Sequence, residues 1–214
     1  MTDPAGQSPR ERYRAQVRAE IKQHAWEQIA AAGVPALSLN AIAKQVGMSG
    51  PALYRYFASR DELITALIRD AYRSLADTVR EARSSGAGLA ELAHVVRDWG
   101  RSDPQRYFLI YGTPVPGYHA PDDITAISFE VMTVLLDAAG ALPAVGSTPF
   151  DEHLKDHREW AFDHPADAAT LHRALSFWTR LHGVLSLELA GHFAGMKFDP
   201  ALLIDEELES LRQS

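Results

Sequence analysis

The sequence contains no cysteine. That excludes disulfides, thiolate catalysis, iron–sulfur clusters and cysteine-type zinc sites, and a reducing cytoplasm is the expected compartment. No run of about 18 apolar residues occurs, so no segment is expected to cross a bilayer and no membrane partner is expected. Residues 1–14 are polar and arginine-rich and lack the basic-then-apolar pattern of a secretory leader. There is no convincing hairpin, no repeat of fixed period and no low-complexity tract. The acidic stretch 151–167 has neither a glycine-rich phosphate loop nor a nucleophile elbow near it, and no cofactor is expected.

What is there is ordinary for a globular chain: 46% apolar and 23% charged residues over 214 positions, enough for one or two domains with a real core. The charge is unevenly placed. Residues 10–60 carry eight Lys/Arg against three acids, whereas residues 61–214 carry thirteen against twenty-four. A basic head on an acidic body suits a polyanionic partner that meets the head alone, despite the overall −7.

Almost every periodic segment has the helical period. Val17, Ile21, Ala25, Ile29 and Ala32 form one stripe, ending at Gly33. Leu63, Leu67, Ala71, Leu75, Val79 and Ala82 form another, long enough to tie two domains together. Further stripes run through Leu89–Trp99, Ile124–Ala138 and Leu171–Leu189, and Asp103-Pro104 and Asp199-Pro200 each start a helix. Breaks fall at 86–88, 112–121 and 140–149. The expected fold is all-α with about nine helices, divided into a head over 10–60 and a body over 61–214.

The most informative stretch is Leu37–Leu63. Ser38 is an N-cap ahead of a two-turn helix whose Leu39, Ile42, Ala43 and Val46 face inward. Gly47 supplies the positive φ of a tight inter-helix turn, and Ser49 is expected to cap a second short helix with Pro51 in its first turn. Leu53 and Phe57 point inward, leaving Gly50, Ala52, Tyr54, Arg55 and Tyr56 outward. This is the layout of a helix-turn-helix.

Through Ser38, Ile42-Ala43, Val46-Gly47-Met48-Ser49, Leu53-Tyr54-Arg55-Tyr56-Phe57, Ser59-Arg60 and Leu63, the chain resembles the tetracycline-repressor (TetR) family of bacterial transcription regulators. The match covers residues 15–65. Phe177-Trp178-Thr179-Arg180-Leu181-His182-Gly183 further looks like a subgroup with a C-terminal Trp-His-Gly motif, with leucine in place of its tryptophan. The resemblance implies a homodimer, a helical body for dimerisation and ligand binding, and a repressor released from a palindromic operator by a small ligand. The chain departs from the family at Ala52, where threonine is frequent, and at Gly50, where a polar or basic residue is frequent. Both departures reduce the base-reading capacity of the second helix.

The expected contacts with double-stranded DNA are Ser38, Asn40, Lys44, Ser49, Gly50, Pro51, Ala52, Tyr54, Arg55, Tyr56 and Arg60. Arg55 is the one long donor on the second helix able to reach guanine O6/N7, while Tyr54 and Tyr56 suit phosphate or a thymine methyl. Ser38 and Asn40 suit a phosphate at a helix start, and Lys44 and Arg60 suit phosphates along the backbone. Arg10, Arg12 and Arg14 suit a minor-groove arm. In the body, Trp99, Phe108, Tyr111, Met132, Phe177, Trp178 and His182 are the expected lining of an apolar or aromatic effector site, with the 112–121 segment as its gate. Apolar residues on more than one face of 168–193 and 200–212 suggest packing on a symmetry mate. The rival reading is a metal-dependent enzyme over 151–172, where His153 and His157 stand at i, i+4 beside Asp151, Glu152 and Asp156. The same pattern describes a solvated acidic helix, and the chain is not expected to be an enzyme.

Overall fold

Ser8 and Glu11 start the first helix by a reciprocal capping box, with Pro9 at the first position, where its missing N–H costs nothing. This helix, α1, runs Pro9–Ala32 and ends where Gly33 takes φ 75°. Arg10, Arg12 and Arg14 therefore lie on helical turns rather than on the extended arm the sequence suggested. The computed structural model describes residues 8–113, 118–142 and 147–213. Residues 114–117 of the expected gate and 143–146 of the 140–149 break lie outside the described residues.

After a 3-10 turn at Val34–Ala36 come α2 (Leu39–Gln45), the single-turn α3 (Gly50–Leu53), α4 (Arg60–Ser84), α5 (Leu89–Ser102) and α6 (Pro104–Tyr111). They are followed by α7 (Asp122–Gly140), α8 (Pro149–Asp156), a 3-10 turn at Glu159–Ala161, α9 (Ala168–Leu189) and α10 (Pro200–Gln213). Ten α-helices and no strand occur among the described residues, one helix more than expected. Val131–Leu136, apolar enough for a buried strand, lies within α7 and keeps its helical phase.

Two cores meet on α4. The head core packs Val17, Ile21, Ala25 and Ile29 of α1 against Ile42, Leu53 and Phe57, then continues through Leu63 and Leu67 of α4. Leu109 of α6 and Ile124 of α7 also enter it. The body core gathers Leu75 and Val79 with Leu92, Val96, Leu135, Leu171, Phe177 and Leu185. Ser59 launches α4 by accepting from the Glu62 N–H at 3.0 Å, and the Glu62 carboxylate accepts in return from the Ala58 N–H.

Carboxylates of α7 brace α4 along its length. Arg69 reaches Asp123 at 2.6 Å, and Arg73 holds Glu130 through two bonds at 2.6 and 2.8 Å. Between α5 and α9, Arg97 grips Glu188 through bonds of 2.6 and 2.8 Å, both side chains being largely buried.

Candidate functional site

The exposed face of the head is set by its buried residues. Ser38 caps α2 by accepting from the Ala41 N–H, and Gly47 at φ 71° turns the chain into α3. Ser49 occupies the N-cap of α3, but its hydroxyl accepts no capping bond there. The α3 turn tightens after Leu53, since the Arg55 and Tyr56 N–H groups reach back only three residues, to Ala52 and Leu53. Leu53 and Phe57 fill the core, so Pro51, Tyr54 and Arg55 are left exposed, Tyr54 by 46%, with Gly50, Ala52 and Tyr56 half-buried beside them.

Asn40 is exposed at the start of α2, where its Oδ1 would lie 3.6 Å from a side chain placed on Gly50, so the two helix starts adjoin. Lys44 is exposed in the last turn of α2. Arg60 stands apart. Its guanidinium donates to the Val34 carbonyl at 2.7 Å and the Leu37 carbonyl at 3.2 Å, so it ties the segment before α2 to the start of α4 instead of projecting toward a phosphate.

Three α1 arginines at i, i+4 and i+8 adjoin this face. Arg18 donates to the Tyr56 carbonyl and lies 4.0 Å over the Phe57 ring, while Arg14 donates to the Arg55 carbonyl at 3.3 Å. Beside them, Arg10, Tyr13, Arg14, Met48, Arg55 and Tyr56 border a groove of about 350 Å³. Tyr13 and Arg18 were not singled out from the sequence, although the four-residue spacing of Arg10, Arg14 and Arg18 was visible there.

In the body, the aromatic residues expected to surround a ligand largely surround one another. Trp99 is buried, with its Nε1–H donating to Ser74 Oγ at 3.1 Å and the Arg106 guanidinium 4.5 Å from its ring. Phe177 is fully buried, and Phe108 and Met132 pack half-buried on the same core. The Tyr107 hydroxyl stands 2.8 Å from both His182 Nδ1 and Ser186 Oγ. Tyr111 and Trp178 close on the His182 ring at 4.3 and 4.0 Å between centroids. Burial lowers the His182 pKa to about 4, so the ring is neutral at pH 7. Burial likewise raises the Tyr111 hydroxyl well above the usual tyrosine range.

His182 Nε2 is buried without a hydrogen-bond partner among the described residues. A cavity of about 260 Å³ lies between α4, α6 and the start of α7, bordered by Ile68, Tyr72, Leu109, Ile110, Tyr118 and Ile124. The buried Tyr118 hydroxyl has no hydrogen-bond partner among the described residues. None of the seven residues expected to line the effector site borders this cavity.

The 151–172 histidines do not converge. His153 and His157 stack at 3.9 Å between centroids, and His157 Nδ1 lies 2.9 Å from the His153 carbonyl. Asp151 is buried and shared between the Thr148 cap and His172 Nδ1 at 2.8 Å. Its burial raises the carboxyl pKa, but the hydrogen bonds from Thr148 and His172 outweigh that and leave it lowered. No group of three or more His, Asp or Glu suited to a metal occurs among the described residues.

Comparison with known proteins agrees on both halves. The family model described as "Bacterial regulatory proteins, tetR family" matches residues 21–67, and "Tetracyclin repressor-like, C-terminal domain" matches 89–211. The HTH-type transcriptional regulator Rv1816 of Mycobacterium tuberculosis is 36% identical over 92% of each chain. The regulator Mb1846 of Mycobacterium bovis shows the same identity and coverage. The crystal structure of SCO4313 superimposes with a TM-score of 0.90 at 68% identity, over 97% of this chain and all of that one. Bacillus subtilis FadR, solved in complex with stearoyl-CoA, shares the fold at a TM-score of 0.59 and 16% identity, over 90% of this chain and 96% of its own.

Proposed function

The chain belongs to the TetR family of DNA-binding transcriptional regulators, and from that premise we propose how its two halves divide the work. Residues 10–60 dock on operator DNA, and residues 61–214 hold the dimer contact and the effector site. The observation that carries the first part is the exposure of Tyr54 and Arg55 above a core locked by Leu53 and Phe57. Arg55 reads a guanine edge in the major groove, and Tyr54, Tyr56, Pro51 and Ala52 lie against the backbone or a thymine methyl. Asn40, Lys44, Ser49 and the α2 start at Ser38 meet phosphates. Gly50 leaves room for the backbone to come close to the duplex.

A homodimer presents two such heads. Leu187 of α9, Leu202 of α10, and Met196 and Phe198 between them are large apolar side chains exposed in the single chain, and the partner subunit covers them. The protein acts in the cytoplasm, where operator DNA is, and no enzymatic role is assigned to it.

The effector site includes the 260 Å³ cavity between α4, α6 and the start of α7. Its walls suit a compact, largely apolar molecule whose single polar atom meets the Tyr118 hydroxyl. Ile68, Leu109 and Ile124 on its border also belong to the head core. A ligand seated there therefore bears on α4 where the two cores meet, and it releases DNA only to the extent that it prefers the released arrangement.

Selection of bound duplexes from a random pool tests the reading. A two-fold symmetric dimer should enrich a palindrome whose half-site centres lie about one helical turn or more apart. Enrichment of an asymmetric site bound by one chain would overturn it.

A further inference from the structure

The segment that matches the family's helix-turn-helix model begins at residue 21, so the first three turns of α1 lie outside it. Those turns carry an arginine ladder that uses its rungs unequally. The inner rung, Arg18, is half-buried and spends its guanidinium on the Tyr56 carbonyl, the Phe57 ring and, at 3.9 Å, the Glu62 carboxylate. The middle rung, Arg14, is exposed and holds the Arg55 carbonyl, with its guanidinium 6.0 Å from the Tyr56 ring centroid. The outer rung, Arg10, borders the 350 Å³ groove and has no hydrogen bond or ion pair among the described residues. Arg12 lies two residues on, about 200° around the helix, and does not border the groove.

We propose that this groove is a phosphate seat: Arg10, with Arg14 behind it and the Tyr13 ring at its side, receives a phosphodiester group of the DNA backbone next to the bases that Arg55 reads. The proposal rests on the docking of the head described above. Three features converge on it. The groove opens beside Arg55 and Tyr56, so a strand whose bases face α3 passes over it. Tyr13 is 63% exposed, which leaves a flat aromatic wall with a hydroxyl at its tip. The Arg14 and Arg18 bonds to the Arg55 and Tyr56 carbonyls fix the ladder to the recognition turn itself, so a phosphate held by Arg10 adds to the grip on the backbone beside that turn. An arginine fork without a partner suits a phosphate oxygen pair better than a lysine-like point charge would.

The test compares two arginines of equal charge. Binding of the full-length protein is measured as a function of salt on two duplexes: one selected from the random pool, and poly(dI-dC), which carries no operator. Each lost phosphate contact should flatten the log–log salt slope by about 0.9, hence by about 1.8 for a dimer. Arg10→Ala should show that change on both duplexes, with roughly 30-fold weaker binding at 0.15 M salt from the same relation. It should leave base preference and Tm unaltered, and Arg12→Ala and Arg10→Lys should keep the parental slope. Equal slopes for Arg10→Ala and Arg12→Ala, or an unchanged slope for Arg10→Ala, would overturn the phosphate seat. Because poly(dI-dC) is bound without sequence preference, a failure to select any palindrome would count against the operator reading alone. Absence of binding to either duplex would overturn both.

Discussion

The head and the body use their arginines in opposite ways. In the body, Arg69, Arg73, Arg97 and Arg180 are each paired with a carboxylate of another helix. In the head, Arg14, Arg18 and Arg60 donate to backbone carbonyls, Arg18 and Arg60 with a carboxylate at 3.9 and 4.0 Å, and Arg55 and Arg10 have no partner among the described residues. The same residue type is a clamp where an acid faces it and a docking group where none does. That contrast gives physical content to the charge asymmetry: these body arginines are neutralised by acids of other helices, while Arg10 and Arg55 of the head stay available to a polyanion.

The largest expected effect that would sharpen the contrast lies in the body. Arg97→Ala leaves Glu188 largely buried without its bidentate partner and should cost about 3–5 kcal/mol, measured as the shift of the denaturation midpoint. An exposed head arginine such as Arg12, changed to Ala, should stay within about 0.5 kcal/mol. Similar losses for both would erase the distinction.

A pH series should show a smaller effect, again confined to the body. The His182 ring has a folded pKa of about 4 against 6.5 for an ordinary histidine, because burial disfavours its charged form. Between those values the unfolded chain takes up a proton that the folded chain refuses. Stability is therefore full above the upper value and falls as pH drops toward the lower one, by on the order of 3 kcal/mol. His182→Gln should flatten that limb of the stability–pH curve, and an unchanged limb would show that the ring is not held neutral.

Much of this was legible in the sequence. Period-3.6 stripes mark α1, α4, α7 and α9, and in the Leu53-Tyr54-Arg55-Tyr56-Phe57 run Leu53 and Phe57 are buried and Tyr54 and Arg55 exposed as expected, although the run leaves α3 after Leu53 and Tyr56 is half-buried. Ser8-Pro9 with Glu11 was a readable helix start, yet the arginines after it suggested an arm. What escaped depends on contacts distant along the chain. Arg60 finds carbonyls at Val34 and Leu37 because the segment before α2 returns beside the start of α4, and no local pattern announces that. The cavity beside Tyr118 escaped for the same reason. Counting aromatic residues located Tyr111, Trp178 and His182, which pack on one another and on Tyr107 and leave His182 Nε2 buried without a partner among the described residues, whereas a further space opens where α4, α6 and the start of α7 fail to close.

The central claim is that the head's unpaired cations read and grip DNA while the body's paired ones hold the fold. Its most direct test is the binding of Arg55→Ala to the selected palindrome and to the set of its single-base-pair variants, alongside a thermal melt. The account predicts loss of discrimination at one base pair in each half-site, by about 1–3 kcal/mol, with the melting temperature unchanged. A uniform loss across all the duplexes, or a lowered melting temperature that explains the weaker binding, would contradict it.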